Sequence, residues 1–301
     1  MTRVVFLLAP GVHLLDLAGP SQVFLTAADL GLGYTQHHVA EQPSVPTAQG
    51  IVLQPSTTWP TQTRDDVIMV PGWRAPSLRD TDPFTVESLD RLVAHHAAGG
   101  TVASVCTGAD ALGRAGLLDG RRCTTHHDVQ EELALRHPRA TVVRDVLYVV
   151  DGRVITSAGV ASGIDLALHL VASAHGPAQA ARVARAMVVY ARRDGGDPQA
   201  SVLLRHRDHL DDVVHRAQDL IDSRFTEALR LADLVAAVGV AERTLTRHFR
   251  RATGLTPLRY QQLLRLERAE YLLGQGATAE SAARVVGFED ARMLRRLRAR
   301  A

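Results

Sequence analysis

The chain has 301 residues, 46% of them hydrophobic and 22% charged, so it is long enough for two domains and its composition excludes a wholly disordered protein. No apolar run approaches the roughly 18 residues of a membrane-spanning helix, and the apolar stretch after the N-terminus is too short for a secretory signal. We therefore expect a cytoplasmic protein that does not contact a membrane.

The net charge of +2 is unevenly distributed along the chain. Residues 1–200 contain 16 Arg and 19 acidic residues, whereas residues 241–301 contain 13 Arg and 6 acidic residues. A basic end after a mildly acidic domain indicates a polyanionic partner, and a solvated basic surface is the alternative.

In chain order, the first part alternates short apolar runs with helical patterns. Residues 4–8, 67–70 and 101–105 are typical of buried parallel strands, and residues 84–98 have apolar side chains at helical spacing. Residues 141–150 and 154–156 read as a hairpin turning at Asp151-Gly152. This alternation predicts an α/β doubly wound sandwich.

One of the two cysteines lies where the strand over 101–105 gives way to a helix. At such a turn Cys106 is held on a tight elbow at the carboxyl end of the strand, and the helix N-terminus is expected to lower its pKa. The alternative for a lone cysteine is a small buried hydrophobic residue. The chain has only two cysteines, Cys106 and Cys123, which is too few for a disulfide framework.

A helical stretch over 164–192 closes the front domain, which we place at residues 1–193. The run Asp194-Gly195-Gly196-Asp197-Pro198 breaks every periodicity and opens a linker over 194–208. Residues 209–301 form a helical domain with two helix-turn-helix units, whose turns lie at Gly239 and Gly287.

The first helix-turn-helix has the clearer pattern. Its first helix carries an apolar stripe, and its second, over 241–252, buries Leu245 and Phe249. The opposite face presents Arg243, Thr244, Thr246, Arg247 and Arg250. The three arginines project together, which suits a major groove, where arginine binds guanine bidentately. An ordinary amphipathic helix with a solvated basic face is the alternative.

The run from Gly239 to Pro257, followed by Tyr260, Arg265, Ala269 and Leu272-Leu273, closely resembles the DNA-binding domain of AraC/XylS-type regulators. In that family, two helix-turn-helix units joined by a long helix enter successive major-groove segments on one face of the DNA. The resemblance implies that Arg243, Thr244, Thr246 and Arg247 are base-reading positions.

The second helix-turn-helix follows the family less closely. Residues 278–286, Gly287-Phe288 and the helix from Asp290 match, which implies reading positions at Ala291, Arg292, Arg295 and Arg296. Arg298 stands where the family usually has Phe, and the usual closing residues are absent before Ala301. We expect a shortened unit that packs poorly unless Leu297 substitutes for the aromatic ring.

Motifs of the front domain occur in an order typical of another family. They are Leu14–Pro20, Val70-Pro71-Gly72, Val105–Ala109, Ala115–Gly120, Thr124-Thr125-His126 and Ser157-Ala158-Gly159. Together they resemble the PfpI-type, class I glutamine-amidotransferase-like fold, which is flavodoxin-like. The resemblance is greatest to the branch fused to AraC domains, often called GlxA-type regulators.

In enzymatic relatives such as isocyanide hydratase, the matching positions are an acid (Asp16), the nucleophile (Cys106), Thr107 and the backbone amide of Gly72. His126 is either a partner of Cys106 or a structural histidine. Two departures stand out: Trp73 replaces a common second glycine and is expected to crowd the oxyanion pocket, and His127 replaces a tryptophan.

The histidine pairs at 37/38, 95/96, 126/127 and 206/209 lack a converging carboxylate or cysteine set in the sequence, so we expect no metal and no cofactor. The resemblances imply a sequence-specific transcriptional regulator whose non-catalytic front domain senses a small-molecule effector and dimerises. Its partners are then double-stranded DNA, an unknown effector, a second copy of the chain and RNA polymerase. A Cys-dependent isocyanide hydratase or amidase fused to a DNA-binding domain is the main alternative, and an interaction scaffold is the third.

Overall fold

A computed structural model describes residues 1–80, 82–189, 193–197, 199, 205–274 and 276–299, with the backbone alone at residue 80. The chain divides into an N-terminal unit, Met1–Gln199, and a C-terminal unit, Ala200–Ala301. Part of the expected linker over 194–208 and the end of the expected helical stretch over 164–192 lie outside the described residues. Within the described ranges, no helix is long and apolar enough to cross a membrane.

The N-terminal unit is built on a mostly parallel sheet. Its strands are β1 (Thr2–Leu7), β2 (Tyr34–Val39), β3 (Val45–Pro46), β4 (Val52–Leu53), β5 (Val67–Val70), β6 (Thr101–Val105), β7 (Arg122–Cys123), β8 (Thr141–Val142), β9 (Tyr148–Asp151) and β10 (Val154–Ser157). Six of these strands form the main sheet in the order β2-β1-β5-β6-β10-β9, and only β9 runs antiparallel to its neighbour. The pairs β3-β4 and β7-β8 form two small separate sheets.

Helices cover both faces of the main sheet. They are α1 (Leu14–Asp29), α2 (Val86–Ala97), α3 (Gly108–Arg114), α4 (Gln130–Arg136), α5 (Ser162–His175) and α6 (Pro177–Ala186). Because side chains alternate along a strand, Val4 and Phe6 of β1 pack with α1, α5 and α6, whereas Val5 and Leu7 pack with α2, α3 and α4. The predicted α/β doubly wound sandwich is confirmed.

Local predictions in this unit were less accurate. The predicted hairpin is limited to β9 and β10, because Thr141–Val142 pairs in parallel with β7 instead. The single helix predicted over 164–192 is two helices, since Gly176 adopts a φ of 86° and the next residue is Pro177. The sequence pattern missed α1, which contains Pro20, and β2, whose centre is polar.

The described part of the C-terminal unit is helical. Its helices are α7 (Asp212–Arg224), α8 (Leu231–Val238), α9 (Glu242–Thr253), α10 (Pro257–Gly274), α11 (Ala279–Val285) and α12 (Ala291–Arg298). They enclose two separate hydrophobic cores, one around Leu245 and Phe249 and the other around Phe288 and Leu294. The long helix α10 contributes to both cores and so connects the two helix-turn-helix units.

Candidate functional site

Cys106 occupies the turn between β6 and α3 with a φ of 56°, a left-handed conformation that residues other than glycine rarely adopt. The turn is held at both of its backbone polar groups. The Cys106 amide donates to the carbonyl oxygen of Ser157 (3.0 Å), and the Cys106 carbonyl accepts a hydrogen bond from Thr125 Oγ1 (2.7 Å). These bonds offset a backbone strain of about 1–3 kcal/mol and fix where the thiol points.

Two glycines lie directly against this cysteine. A Cβ atom at Gly72 would lie 2.7 Å from Cys106 Cβ and 2.6 Å from Asp16 Oδ2. At Gly159, where φ is 98°, a Cβ atom would lie 2.3 Å from Cys106 Cβ. All three distances are too short for van der Waals contact, so both positions require glycine. Gly72 therefore brings its main chain beside the thiol and the Asp16 carboxylate at once.

Asp16 lies in the first turn of α1 and is only 1% exposed. Its Oδ1 accepts a hydrogen bond from the amide of Val160 (2.6 Å), whereas its Oδ2 is buried without a hydrogen-bond partner in the described part of the chain. Burial raises the pKa of Asp16, although the Val160 amide and, more weakly, His13 and the Cys106 thiol oppose the shift.

Burial, followed by the charge of Asp16, also raises the pKa of the Cys106 thiol. The expectation that the helix N-terminus would lower this pKa is therefore wrong. The sulfur is shielded from water and faces a carboxylate, and α3 has only seven residues. Desolvation outweighs the helix dipole, so the thiol is protonated at neutral pH.

Thr107 ties the cysteine turn to the neighbouring loop. Its Oγ1 accepts a hydrogen bond from the Trp73 amide (2.8 Å) and donates one to the Trp73 carbonyl oxygen (3.0 Å). The Trp73 ring is buried edge-on against Phe84, with 5.7 Å between ring centroids. Because the Trp73 amide already donates to Thr107, it does not point a free N–H at an oxyanion in this arrangement.

His126 borders the same cleft, but its contacts are with its neighbours in sequence. Its Nδ1 accepts a hydrogen bond from the Asp128 amide (3.4 Å), and its ring lies 4.1 Å from that of His127. Burial and His127 lower the pKa of His126, and Asp128 opposes this. The expectation that this pair lacks a converging carboxylate is wrong, since donor atoms of His126, His127 and Asp128 lie within 4.8 Å of one another.

These residues surround a cleft of about 520 Å³, which we call the Cys106 cleft. Asp16, Trp73, Cys106 and Thr107 are its buried members, while His13, Arg74, Asp128 and Glu132 supply charged or titratable groups of both signs. The structure thus brings together Asp16, Gly72, Cys106 and Thr107 as the sequence predicts. It does not pair His126 with Cys106.

Helix α9 has the two faces predicted for the first helix-turn-helix. Leu245 and Phe249 are fully buried, Arg243, Arg247 and Arg250 are exposed, and Thr244 and Thr246 are half-buried. The preceding turn is formed by Gly239, whose φ of 75° ends α8 in the left-handed conformation. Since the arginines leave the side of α9 opposite its core, they are free to meet a groove.

The second helix-turn-helix packs without the family's usual phenylalanine. Leu294 and Leu297 are both buried in its core, and the Asp290 carboxylate caps α12 by accepting from the Arg292 and Met293 amides (2.8 and 3.0 Å). The exposed side chains include Arg292, Arg295 and Arg296. Ala291 is buried in this core, so its expected place among the reading positions is wrong.

Two family models match the chain: the DJ-1/PfpI family over residues 2–173 and a helix-turn-helix domain over residues 234–301. The chain belongs to the DJ-1/PfpI family. It is 37% identical over 175 residues to an isonitrile hydratase of Pseudomonas putida, a match that covers 56% of this chain and 70% of that enzyme. It is 31% identical over 274 residues to the transcriptional regulator CdhR of Pseudomonas aeruginosa, covering 90% of this chain and 80% of that regulator.

A crystal structure of an AraC family transcriptional regulator from Pseudomonas putida has the same fold as part of this DJ-1/PfpI protein. The TM-score is 0.55 at 22% identity, and the match covers 62% of this chain and all of that one. The match to CdhR spans both units, whereas the match to the hydratase spans only 56% of the chain. The C-terminal unit is an AraC-type helix-turn-helix domain, and the protein is a DNA-binding transcriptional regulator.

Sequence reasoning missed several residues that complete the cleft. Val160 binds Asp16 and Thr125 binds Cys106 by hydrogen bonds. Val160 lies outside every motif, and the Thr124-Thr125-His126 motif does not indicate the bond that Thr125 makes. Gly159 belongs to the Ser157-Ala158-Gly159 motif, but its contact with Cys106 follows only from the pairing of β10 with β6.

Proposed function

We propose that the N-terminal unit is a non-catalytic effector-binding domain that regulates DNA binding by the C-terminal unit. The observation that carries this proposal is the state of the Cys106 cleft. Its cysteine faces a buried carboxyl group, and both groups have raised pKa values. A protonated thiol is a poor nucleophile but a suitable hydrogen-bonding floor for a ligand.

The cleft favours a small polar effector. Its rim carries Arg74 and His13 as well as Asp128 and Glu132, so it offers partners for groups of both signs. Asp16 Oδ2 lacks a hydrogen-bond partner among the described residues, and an effector donor or acceptor that reached it would satisfy a buried polar atom.

The segment leading out of the N-terminal unit, described at residues 193–197 and 199, supports coupling between the cleft and DNA binding. We call it the exit segment. Gln199 Nε2 donates to the Thr125 carbonyl oxygen (3.0 Å), and Thr125 Oγ1 in turn donates to the Cys106 carbonyl oxygen. Arg193 is paired with the buried Asp165 of α5 (2.6 Å), the helix that follows the loop over residues 158–161, which we call the Val160 loop.

The Leu147 amide also donates to the Gly195 carbonyl oxygen (2.9 Å). The exit segment is thus bonded to Thr125, which contacts Cys106 directly, and to α5, which follows the loop whose Val160 amide binds Asp16. A ligand that shifts the cysteine turn or the Val160 loop would change these bonds and, through them, the start of the connection to the DNA-binding domain.

We propose that the C-terminal unit reads bases through Arg243, Thr244, Thr246, Arg247 and Arg250 in the first helix-turn-helix and Arg292, Arg295 and Arg296 in the second. The DNA-binding domain then comprises residues 209–301, preceded by a linker over 194–208 and the sensing domain over 1–193. We further propose a homodimer, because linking two readers strengthens binding by about 10²–10⁴-fold. The proposed regulator acts in the cytoplasm, with RNA polymerase as a partner at the promoter.

The test is a screen of small polar compounds for binding to the full chain and for a change in its affinity for DNA selected from a random pool. Cys106→Ala is expected to leave DNA affinity nearly unchanged without ligand and to weaken the ligand response. Cys123→Ala is the matched control, because Cys123 is buried away from the cleft in the other hydrophobic cluster. A ligand response that survives Cys106→Ala unchanged would contradict the proposal.

The second candidate is a Cys106-dependent hydratase or amidase, favoured by the close approach of Asp16, Gly72 and Cys106 and by the match to isonitrile hydratase. Here Cys106 is the nucleophile and Asp16 the acid. The same compounds, with isonitriles, nitriles and amides included, are assayed for product. Turnover that Cys106→Ala abolishes, without any effect of the compound on DNA binding, would establish the enzyme and refute the sensor.

A further inference from the structure

Arg265 lies in the middle of α10, between the two helix-turn-helix cores, and its guanidinium makes an unusual set of bonds. Nε donates to the Phe225 carbonyl oxygen (2.6 Å), Nη2 to the Glu227 carbonyl oxygen (2.6 Å) and Nη1 to the Gly287 carbonyl oxygen (2.8 Å). The guanidinium carbon also lies 5.5 Å from the centre of the Phe288 ring. All three nitrogens therefore bind main-chain oxygens.

Two of these carbonyls lie next to the first helix-turn-helix unit, and the third lies within the second. Phe225 and Glu227 lie in the loop between α7 and α8, which leads into the first unit. Gly287 forms the turn of the second unit, with a φ of 82°. The loop and the turn are in direct contact, since a Cβ atom at Gly287 would lie 1.9 Å from the Thr226 carbonyl oxygen.

Gln261, one turn before Arg265 on α10, supports the same loop. Its Nε2 donates to the Phe225 and Glu227 carbonyl oxygens at 2.9 and 2.8 Å. Arg265 is the group that extends this bonding to Gly287. A planar guanidinium holds its donors in a fixed fork, so three simultaneous bonds restrict both the distance and the angle between the loop and the turn.

The hydrophobic cores do not supply this restriction. They form two separate clusters, and α10 is the element that contributes to both. Apolar packing on a shared helix is not directional, so it does not by itself fix the angle between the units. Hydrogen bonds between the units are directional.

We propose that Arg265 is a positioning residue that sets the angle between reading helices α9 and α12 and thereby fixes the spacing between the two DNA segments they read. The inference rests on the proposed reading faces of these two helices. Arg265 itself is not a base contact, because its donors are already bonded to carbonyls within the protein.

The test uses the full chain and a duplex selected by it from a random pool. In further duplexes, one or two base pairs are inserted or removed between the two protected segments. Because a helical turn takes about 10–10.5 base pairs, each change rotates the second segment around the DNA axis. We expect the wild-type chain to lose affinity roughly 10-fold or more at the altered spacings, the size of a lost base contact.

Arg265→Gln should flatten this profile of affinity against spacing, so that the affinities at all spacings agree within about threefold. Its main loss of affinity should occur at the preferred spacing, because the two reading helices are no longer held at a fixed angle. Arg265→Lys keeps the charge but cannot span three carbonyls, so it should behave like Arg265→Gln. Arg268→Gln is the matched control: Arg268 lies on the same helix, 4.8 Å from the centre of the Tyr271 ring, and should leave the profile steep.

A steep profile in Arg265→Gln, or an equal loss at every spacing, would overturn the proposal, since a merely structural role lowers affinity for all duplexes alike. Thermal unfolding and stoichiometric titration with the selected duplex correct for misfolded protein. If Arg265→Gln does not fold, Arg265→Lys carries the test, with a flattened profile expected and a steep one contradicting the proposal. Failure of the reading faces is distinguishable, because Arg243→Ala would then leave base preference intact.

Discussion

The Cys106 cleft and the arginine face of α9 hold their polar groups in opposite environments. In the cleft, Asp16 and Cys106 are buried and have raised pKa values, and the thiol is protonated at neutral pH. On α9, Arg243, Arg247 and Arg250 are exposed and permanently charged. The first arrangement suits recognition of a small molecule by shape and hydrogen bonds, and the second suits attraction of a polyanion.

The largest expected effect comes from filling the space beside Cys106. Gly159→Ala would place a Cβ atom 2.3 Å from Cys106 Cβ at a φ of 98°, so we expect the N-terminal unit to lose about 3 kcal/mol or more of unfolding free energy. Gly31→Ala is the control, because Gly31 has a similar φ of 82° with no atom near its Cβ position, and it should lose about 1 kcal/mol. Thermal and urea unfolding of the full chain measure both. Equal losses would show that the close approach to Cys106 is not what requires glycine.

The next effect concerns the reactivity of the buried thiol. In a Cys123→Ala background, Cys106 should be alkylated at pH 7.5 about 100-fold more slowly than cysteine in an unstructured peptide, because thiolate is the reactive species. The rate should keep rising with pH through pH 9. A rate that levels off near neutral pH would indicate a thiolate and favour the enzyme.

The same raised pKa has a consequence for stability. The folded chain keeps the Cys106 proton above the ordinary thiol pKa of about 8.5, whereas the unfolded chain loses it. The unfolded state then binds fewer protons, so the free energy of unfolding should fall as pH rises above about 8.5. Cys123, whose pKa burial raises to about 11, acts in the same direction. In the Cys123→Ala background, Cys106→Ala should reduce the slope of the unfolding free energy against pH between about pH 8.5 and 10. An unchanged slope would contradict a raised pKa for Cys106.

On the exposed side of the comparison, Arg243→Ala or Arg247→Ala should each weaken the free energy of binding to the selected DNA by about 1–3 kcal/mol. Each change should also relax the base preference at the position that the arginine contacts. Binding to random DNA should fall much less, since one charge is lost. Arg284→Ala removes one exposed arginine from α11, outside the reading set, and serves as the control. Equal losses of affinity for selected and random DNA would show that Arg243 and Arg247 contact phosphates rather than bases.

The two regions also differ in how far the sequence predicts them. The faces of α9 follow from local spacing, because Leu245 and Phe249 lie one turn apart and the arginines fall on the other side. In the cleft, the contact between Asp16 and Val160 joins residues 144 positions apart, so it depends on the sheet order. Resemblance supplied Asp16, Gly72, Cys106 and Thr107, but not the raised pKa values of Asp16 and Cys106.

Protonation depends on burial, and burial follows from the packing of α1 and the Val160 loop over the thiol, which no local pattern encodes. The misplacement of Ala291 among the reading positions has a related cause. A helix position inferred from resemblance carries no information on how this chain fills its own core, and here Ala291 helps to fill it.

The most direct test of the account is the DNA affinity of the full chain with and without a ligand bound in the Cys106 cleft, for the wild type and for Gln199→Ala. The account predicts that ligand changes the dissociation constant for selected DNA in the wild type. Gln199→Ala should bind the ligand but respond less, because it removes the bonds from the exit segment to the Thr125 and Val146 carbonyls. An unchanged dissociation constant in the wild type, with the cleft occupied, would contradict the claim that the N-terminal unit regulates DNA binding.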